Sequence, residues 1–410
     1  MSQSSQAEPS VSEQGESLRY PWFAAIGIGL LVGLYGVYRI LADGLVVLGI
    51  TNQLPLGILI STYEFFLTMS AGIMIGVVAM SLVFGVGRFE LVTKRGILLS
   101  FATLAAGLLT ILIGLGRPDR ALYQPLLSGN LSSPIWWVIL LAASFAIVSL
   151  GLLYITYVGR VESGAARSLG TVAMLLGVGV VVAAGFIFGM AETRSYYGGP
   201  TAPVYFLVSG LLSGVAAITF TLGVGDLTGV SPLGGSGRDF VTETLGKYLG
   251  LLLGATLIVV LVKAVYGLTA TSDSTAMAYE HMLLGSFGPI YWIFGILLGL
   301  AVPLLLMAVE GLRSAKGVTG AAALTLIGMF VLRFEFVVGG QIAAQVSGGT
   351  NEYPFVSYVP SMPELALVVF AFAVAAFVYT AGSHVLPLET MSESVATDGG
   401  AVASRGDGDE

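Results

Sequence analysis

The sequence predicts an all-α, polytopic membrane protein with about ten transmembrane helices. Of its 410 residues, 56% are hydrophobic and only 10% are charged, whereas soluble proteins carry about 25% charged residues. The charged residues also cluster between long apolar runs, which is typical of a helical protein that crosses the bilayer many times.

Ten apolar runs are each long enough to cross the hydrocarbon core, which takes ~20 helical residues. The second run is overlong, which predicts a tilted helix or one that extends beyond the membrane. The runs fall at roughly 21–41, 55–86, 96–116, 134–158, 168–190, 203–225, 245–268, 286–309, 317–340 and 363–383.

The distribution of basic residues predicts the topology. Eleven Lys and Arg residues fall on the side that holds both termini, and six fall on or near the other side. Because cytoplasmic loops carry an excess of basic residues, we expect a cytoplasmic-membrane protein with both termini in the cytoplasm. Ten spans fit this pattern, whereas eight would require two of the runs to be re-entrant or interfacial. The longer loops on the outer side predict a working or docking surface there.

The transmembrane domain is predicted over residues 21–385, between disordered tails at 1–20 and 386–410. The tails hold nine acidic and two basic residues, so they account for the whole net charge of −7. The remainder is balanced and offers no basic surface for nucleic acid. The N-terminal tail is acidic and lacks an apolar run, so we do not expect it to be a cleaved signal peptide.

The sequence contains no cysteine and two histidines, His281 and His384, both near predicted helix ends. This predicts no disulfide, iron–sulfur cluster, metal site or intramembrane pair of haem ligands. It also lacks a P-loop, a G-x-G-x-x-G motif and an H-E-x-x-H motif. Any redox centre that the protein uses must therefore belong to a partner.

Ionisable residues inside the spans are the candidates for function, because burying them in a membrane is costly. Glu64, in the second span, is either a proton carrier or a structural carboxylate paired with an arginine such as Arg117. Arg117 ends the third span, where it either snorkels to the interface or donates to the carbonyl of a ligand. Ser133 and Trp136 open the fourth span and fit either an aromatic belt or the surroundings of a quinone headgroup.

A second group of candidates lies in the C-terminal half of the chain and forms a candidate proton path. Arg333 and Glu335 fall inside the ninth span, where they either carry protons or form a buried pair that holds helices together. His281 is either an interfacial residue or a proton carrier. The complete group consists of Glu280, His281, Arg333, Glu335 and Glu364.

Four segments together resemble the NrfD/polysulfide reductase membrane-subunit family. The first segment is PLGILISTYEFFLTMSAG (55–72), followed by GRFELVTKRG, IGLGRPDRALY and LSSPIWW. The next two are ETRSYYGGPTAPVYFLVSGLLSG (192–214) and YEHMLLGSFGPIYWIFGILLGLAVPLLLM (279–307). The last, RFEFVVGGQ (333–341) with SYVPSMPE (357–364), is similar to the ten-span branch, which includes hydrogenase and alternative complex III membrane subunits.

This resemblance implies two four-helix bundles with flanking helices, and a quinone-reactive subunit without haem, iron–sulfur or metal groups. Its implied partners are an iron–sulfur ferredoxin-like subunit and a molybdopterin-type catalytic subunit. The implied quinone pocket lies near the outer face of the first bundle. Some family members place Asn and His in the first span, and this chain has neither between Pro21 and Arg39, so Tyr35 or Glu64 would substitute.

When the family's site positions are carried over to this sequence, the resemblance implies two catalytic carboxylates, Glu64 and Glu192. Glu64 is expected to share one quinol site with Arg117. The implied quinone-binding residues are Arg117, Ser133, Trp136, Arg194 and Tyr35.

The expected function is that of a membrane anchor that exchanges electrons between quinol and the partner iron–sulfur subunit during anaerobic respiration. Such a subunit does not act on the terminal substrate alone. The alternative is a secondary, ion-coupled transporter that uses Glu64, Arg333 and Glu335 as its ion site.

Overall fold

The computed structural model describes residues 11–117, 119–120, 123, 127–191, 194–285, 287–342 and 357–388. Over these residues it contains ten helices that are long and apolar enough to cross a membrane. Each coincides with one of the ten apolar runs, so the predicted fold class is confirmed. The predicted tails lie largely outside the described residues.

Among the helices whose bounds the structure describes, α8 is too short to span. The helices are α1 Val11–Asp43, α2 Ile58–Leu82, α3 Gly87–Gly114, α4 Pro134–Tyr157, α5 Gly164–Gly189, α6 Thr201–Leu227, α7 Gly235–Leu268, α8 Asp273–Leu284, α9 Ile290–Ala308, α10 Ala315–Ile342 and α11 Met362–Val385.

Helix packing divides the protein into two four-helix bundles and a flanking pair. Helices α2–α5 pack together as the first bundle, and α6, α7, α9 and α10 form the second. Helices α1 and α11 pack against each other, and α11 also lies against α3. We call the face that carries Gly44–Gly57, Ser195–Tyr197, α8 and Tyr358–Ser361 the distal face, since the start of α1 and the end of α11 lie together on the opposite side.

The two bundles meet along α2, which contacts both α6 and α10. Gly72 of α2 lies against the main chain of Gly210 and Gly214 in α6. A Cβ atom on Gly72 or Gly214 would overlap the facing backbone, so small residues are required for this close approach. The crossing fixes the spacing of the bundles next to the buried polar residues described below.

Among the described residues, three spans contain stretches of wider, π-helical backbone. The stretch covers Met74–Val78 in α2, Phe240–Leu245 in α7, and Ile290–Ala301 in α9, where it ends just before Pro303. A proline inside an α-helix clashes with the carbonyl four residues earlier, and local widening of the helix relieves such a clash. The second apolar run of the sequence is longer than α2 because it also includes loop residues on both sides of this helix.

Candidate functional site

Glu64, Thr68 and Gly72 are spaced four residues apart and therefore occupy one face of α2. This face points towards the second bundle, because Gly72 meets α6 and the hydroxyl of Thr68 is reached by Arg333 of α10. Glu64 and Arg333 are each only 1% exposed and interact electrostatically. We call Glu64, Thr68, Ser209 and Arg333 the polar core.

Arg333 is held in the polar core by three kinds of contact. Its Nη2 donates to Ser209 Oγ over 2.9 Å and more weakly to Thr68 Oγ1 over 3.4 Å. Its guanidinium carbon lies 3.9 Å from the centroid of the Phe206 ring, which is a favourable cation–π distance. The cation is thus fixed by α2 and α6 as well as by its own helix.

Several polar atoms of the core remain unsatisfied among the described residues. Glu64 Oε2, Arg333 Nε and Arg333 Nη1 are buried and have no hydrogen-bond partner there. Unpaired ionisable groups are expensive in a low-dielectric interior, and their presence calls for an explanation such as a bound ligand or water. The polar core therefore has free donor and acceptor capacity at bilayer depth.

The second bundle contains a small cavity of about 10 Å³ near the distal face. Its walls come from α6, α7, α8, α9, α10 and the turn Ser195–Tyr197, and we call it the distal cavity. The polar groups that line it are those of Tyr196, Tyr205, Lys263, Tyr279, Tyr291 and Glu335. Its apolar walls include Leu332 and Phe336.

The predicted pairing of Glu64 with Arg117 does not occur. Helix α3 ends at Gly114, so Arg117 lies beyond it with an exposed side chain, whereas Glu64 faces Arg333. Tyr35 is also separate from the polar core: it is 46% exposed on α1, and its hydroxyl accepts a hydrogen bond from Arg39.

Two other residues assigned to the quinone site lie at the distal end of the first bundle, where α4 begins. Ser133 directly precedes the helix and is half-buried. Trp136 stacks edge-on against Trp137 at 5.0 Å, and its buried Nε1 has no partner among the described residues. Glu192 lies outside the described residues.

Arg194 instead joins segments of the distal face. Its guanidinium donates to the backbone carbonyls of Gln341 and Gln53, over 2.8 and 3.0 Å. Gln341 in turn bonds both the N–H and the carbonyl of Leu56. These contacts give Arg194 a structural part in linking α10 to the segment that enters α2.

The candidate proton path is only partly brought together. Arg333 and Glu335 are two residues apart on α10, so they point to opposite sides and do not form the expected pair. Arg333 joins the polar core, and Glu335 lines the distal cavity, where it accepts a hydrogen bond from the Tyr196 hydroxyl. On α8, Glu280 is exposed, and His281 is half-buried with a pKa that burial lowers.

Glu364 belongs to a different arrangement, which we call the distal latch: Gly49, Ile58, Tyr358, Ser361 and Glu364. Its carboxylate accepts from the N–H groups of Gly49 and Ser361, each over 2.8 Å, and from the Tyr358 hydroxyl over 2.7 Å. Tyr358 also accepts from the N–H of Ile58. Burial raises the pKa of Tyr358, so its hydroxyl keeps its proton. Glu364 thus caps α11 and fastens α1–α2 to it.

Sequence reasoning missed most of the distal cavity. Lys263 is close to the end of α7, where a lysine is usually read as snorkelling to the interface. Its Nζ in fact lies 4.2 Å from the centroid of the Tyr196 ring and 4.3 Å from that of Phe336. The sequence feature that could have revealed the cavity is Lys263 near the end of the seventh span, together with tyrosines at the starts of the sixth and eighth spans.

The fold and these buried groups define a class: a multi-pass membrane protein with ionisable side chains at the junction of two four-helix bundles. The sequence matches the family model described as polysulphide reductase, NrfD, over residues 46–345. The protein therefore belongs to the polysulphide reductase NrfD family, as the sequence segments indicated.

Three relatives illustrate the range of the family. A selenate reductase subunit of Mesobacillus selenatarsenatis is 26% identical, over 82% of this chain and 85% of the relative. A polysulfide reductase chain of Wolinella succinogenes is 26% identical, over 69% and 93%. The Hdr-like menaquinol oxidoreductase integral membrane subunit of Archaeoglobus fulgidus is 23% identical, over 92% and 95%. Family and relatives together support a membrane subunit of a reductase complex and disfavour the transporter alternative.

Proposed function

We propose that this protein is the quinol-reactive membrane subunit of an oxidoreductase complex. It passes two electrons from a membrane quinol to a partner iron–sulfur subunit, which serves a molybdopterin-type catalytic subunit. Quinol oxidation is the favoured direction, because two of the relatives are named as parts of reductases and a third as a menaquinol oxidoreductase subunit.

The observation that carries the proposal is the unsatisfied polar core. A quinol gives up two electrons and two protons, so its site needs a buried acceptor for the hydroxyl proton. Glu64 offers a carboxylate oxygen without a partner, and Arg333 offers two free N–H groups that stabilise negative charge there. The same donors and acceptors suit the hydroxyl and carbonyl oxygens of a quinol–quinone couple.

We place the headgroup at the polar core, where Glu64 of α2 faces Arg333 of the second bundle. Glu64 lies about six residues into α2, or ~9 Å from its distal end at ~1.5 Å per residue. The headgroup therefore enters from lipid near the distal face and meets Glu64 at its inner end.

The test uses the purified complex that holds this protein. A short-tailed naphthoquinol is added, and reduction of the partner's iron–sulfur clusters is followed by electron paramagnetic resonance. Replacing Glu64→Gln keeps the shape of the side chain but removes its ability to take a proton. We expect the reduction rate to fall about 100-fold, the lower range for losing a general base.

Glu364→Gln is the matched control, because Glu364 is also buried but fully hydrogen-bonded in the distal latch. It should retain the reduction rate per assembled complex. If naphthoquinol reduces no cluster in the unmodified complex, the proposed function is wrong. If Glu64→Gln reduces clusters at the normal rate, the assigned role of Glu64 is wrong.

We also propose that the protein resides in the cytoplasmic membrane with both termini in the cytoplasm, so that the partner subunits dock on the distal face outside. The excess of basic residues on the side of the termini supports this orientation. A reporter active only outside the cell, fused after Ser392, should be silent, and its activity would contradict the orientation.

A further inference from the structure

The distal cavity brings a carboxylate and an ammonium group together inside the second bundle, separate from the polar core. Glu335 is 3% exposed, and it interacts electrostatically with Lys263. The Tyr196 hydroxyl donates to Glu335 Oε1. The quinol reaction proposed above needs neither residue, so the presence of both in an apolar bundle requires another explanation.

Lys263 is surrounded by aromatic rings rather than by water alone. Its Nζ lies 4.2 Å from the Tyr196 ring centroid, 4.3 Å from that of Phe336 and 5.7 Å from that of Tyr279. Ring faces stabilise the ammonium ion without binding its protons tightly. The cation is therefore held in place while its N–H groups stay available to the cavity.

Tyr205 connects this cavity to the polar core. Its ring centroid lies 5.3 Å from the guanidinium carbon of Arg333 on one side and 5.9 Å from Lys263 Nζ on the other. The ring is buried and lines the distal cavity. The ring of Tyr205 thus lies between the guanidinium of the polar core and the ammonium group of the distal cavity.

The cavity also lies close to water on the distal face. Lys263 is partly buried and lies five residues before Leu268, or ~7 Å along the helix from the end of α7. Helix α8 covers the opening, and the Tyr279 hydroxyl donates to the Tyr196 carbonyl over 3.1 Å. The free volume of about 10 Å³ is close to the ~10–15 Å³ that a single water molecule needs and is too small for an organic ligand. Water and protons are the occupants that fit.

We propose that Glu335, Lys263 and Tyr196 form a proton-exchange site that passes protons from the polar core to water at the distal face. The proposal rests on the proposed function for the source of the protons. For each proton moved, one O–H bond forms on Glu335 and later breaks, while an N–H bond of Lys263 breaks towards water and reforms from Glu335. No electrons pass through this site.

Every charged or titratable group that faces Glu335 enters this exchange. Lys263 of α7 supplies the opposite charge, and the tyrosines supply hydroxyl groups that can donate hydrogen bonds. These groups are Tyr196, Tyr205, Lys263, Tyr279 and Tyr291. They belong to the turn before α6 and to helices α6, α7, α8 and α9.

Infrared difference spectroscopy of the purified complex tests the site without any quinol. A pH jump should produce a carbonyl-stretch band from a protonated carboxyl group that shifts in heavy water. We expect Glu335→Gln to remove this band, and Tyr196→Phe to change its frequency because a hydrogen bond to Oε1 is lost. Glu364→Gln should leave the band intact.

Turnover supplies the second readout. Glu335→Gln should slow naphthoquinol oxidation about 10-fold or more and remove one step from its pH profile, with little change in KM. If Glu335→Gln does not assemble, the Lys263→Met/Glu335→Gln double variant keeps the cavity neutral and takes its place.

The outcomes separate the two proposals. An unmodified complex that naphthoquinol does not reduce contradicts the proposed function, whatever the infrared result. A complex that naphthoquinol reduces, but in which Glu335→Gln keeps both the band and the pH profile, contradicts the proton-exchange site alone. Loss of protein with unchanged turnover per complex would assign Lys263 and Glu335 a purely structural role and would also overturn the proposal.

Discussion

Glu64 in the polar core and Glu364 in the distal latch are both almost completely buried carboxylates, but their oxygens meet different surroundings. Glu364 accepts three hydrogen bonds through its two oxygens, from two backbone N–H groups and a tyrosine hydroxyl. Glu64 keeps an oxygen without a partner among the described residues and faces an arginine with two unpartnered nitrogens. The comparison teaches that burial alone does not mark a functional carboxylate. Unused bonding capacity separates the site proposed to exchange protons from one that joins segments of the protein.

The largest effect is expected when the cation of the polar core is removed. Arg333→Met leaves Glu64 buried without its compensating charge, and breaking such a buried pair costs about 3–5 kcal/mol. The amount of assembled complex and its melting temperature should fall sharply. The Glu64→Gln/Arg333→Met double variant should recover part of the stability but not quinol turnover. An unchanged melting temperature in Arg333→Met would show that the two charges are not coupled.

In the distal latch, Glu364→Gln should reduce stability without reducing turnover per complex. The amide nitrogen cannot accept a hydrogen bond, so at least one donor loses its partner, and bonds to charged groups contribute about 1.5–3 kcal/mol. Thermal unfolding of the complex measures the effect. A fall in turnover with normal stability would place Glu364 with Glu64 and remove the distinction between the two regions.

Tyr358→Phe is a milder change in the same latch. It removes the hydroxyl that donates to Glu364 and accepts from the Ile58 N–H, while the ring remains in place. We expect a loss of about 1–2 kcal/mol, within the range for unsatisfied buried groups. Thermal unfolding beside Glu364→Gln ranks the two effects. A larger loss than that of Glu364→Gln would mean that the tyrosine, rather than the carboxylate, holds the latch.

The smallest effect is expected at Tyr35, outside both regions. Its hydroxyl contacts Arg39 on an exposed face of α1, so Tyr35→Phe should change neither the melting temperature nor the KM for naphthoquinol measurably. An increased KM would instead return Tyr35 to the quinone site that the family resemblance implied.

Much of the fold is predictable from the sequence, because a hydrocarbon environment demands long apolar helices and each leaves a clear pattern. Glu64, Arg333 and Glu335 were also identifiable, since ionisable residues are rare at that depth. Their partners were not. Pairing depends on which faces of distant helices meet, and nothing local to Glu64 distinguishes Arg333, 269 positions later, from Arg117.

Lys263 and Glu364 show the same difficulty near helix ends. Both lie where a charged side chain normally reaches water, so the sequence pattern of an interfacial residue and that of a buried one are alike. In the folded protein, α8 covers Lys263, whereas Gly49 and Tyr358 cover Glu364. Only these contacts distinguish the two residues from interfacial ones.

The contact of Gly72 with Gly210 and Gly214 has a consequence for how the protein moves charge across the membrane. Gly72 lies eight residues, or ~12 Å, beyond Glu64 towards the side of the termini. Where main chains touch, neither water nor lipid fits between the bundles, so the seam is insulated below the polar core. Under the proposed function, a proton taken up by Glu64 would therefore leave towards the distal face. Protons and electrons of one quinol would then leave on the same side, and the turnover itself would add no charge to the membrane potential.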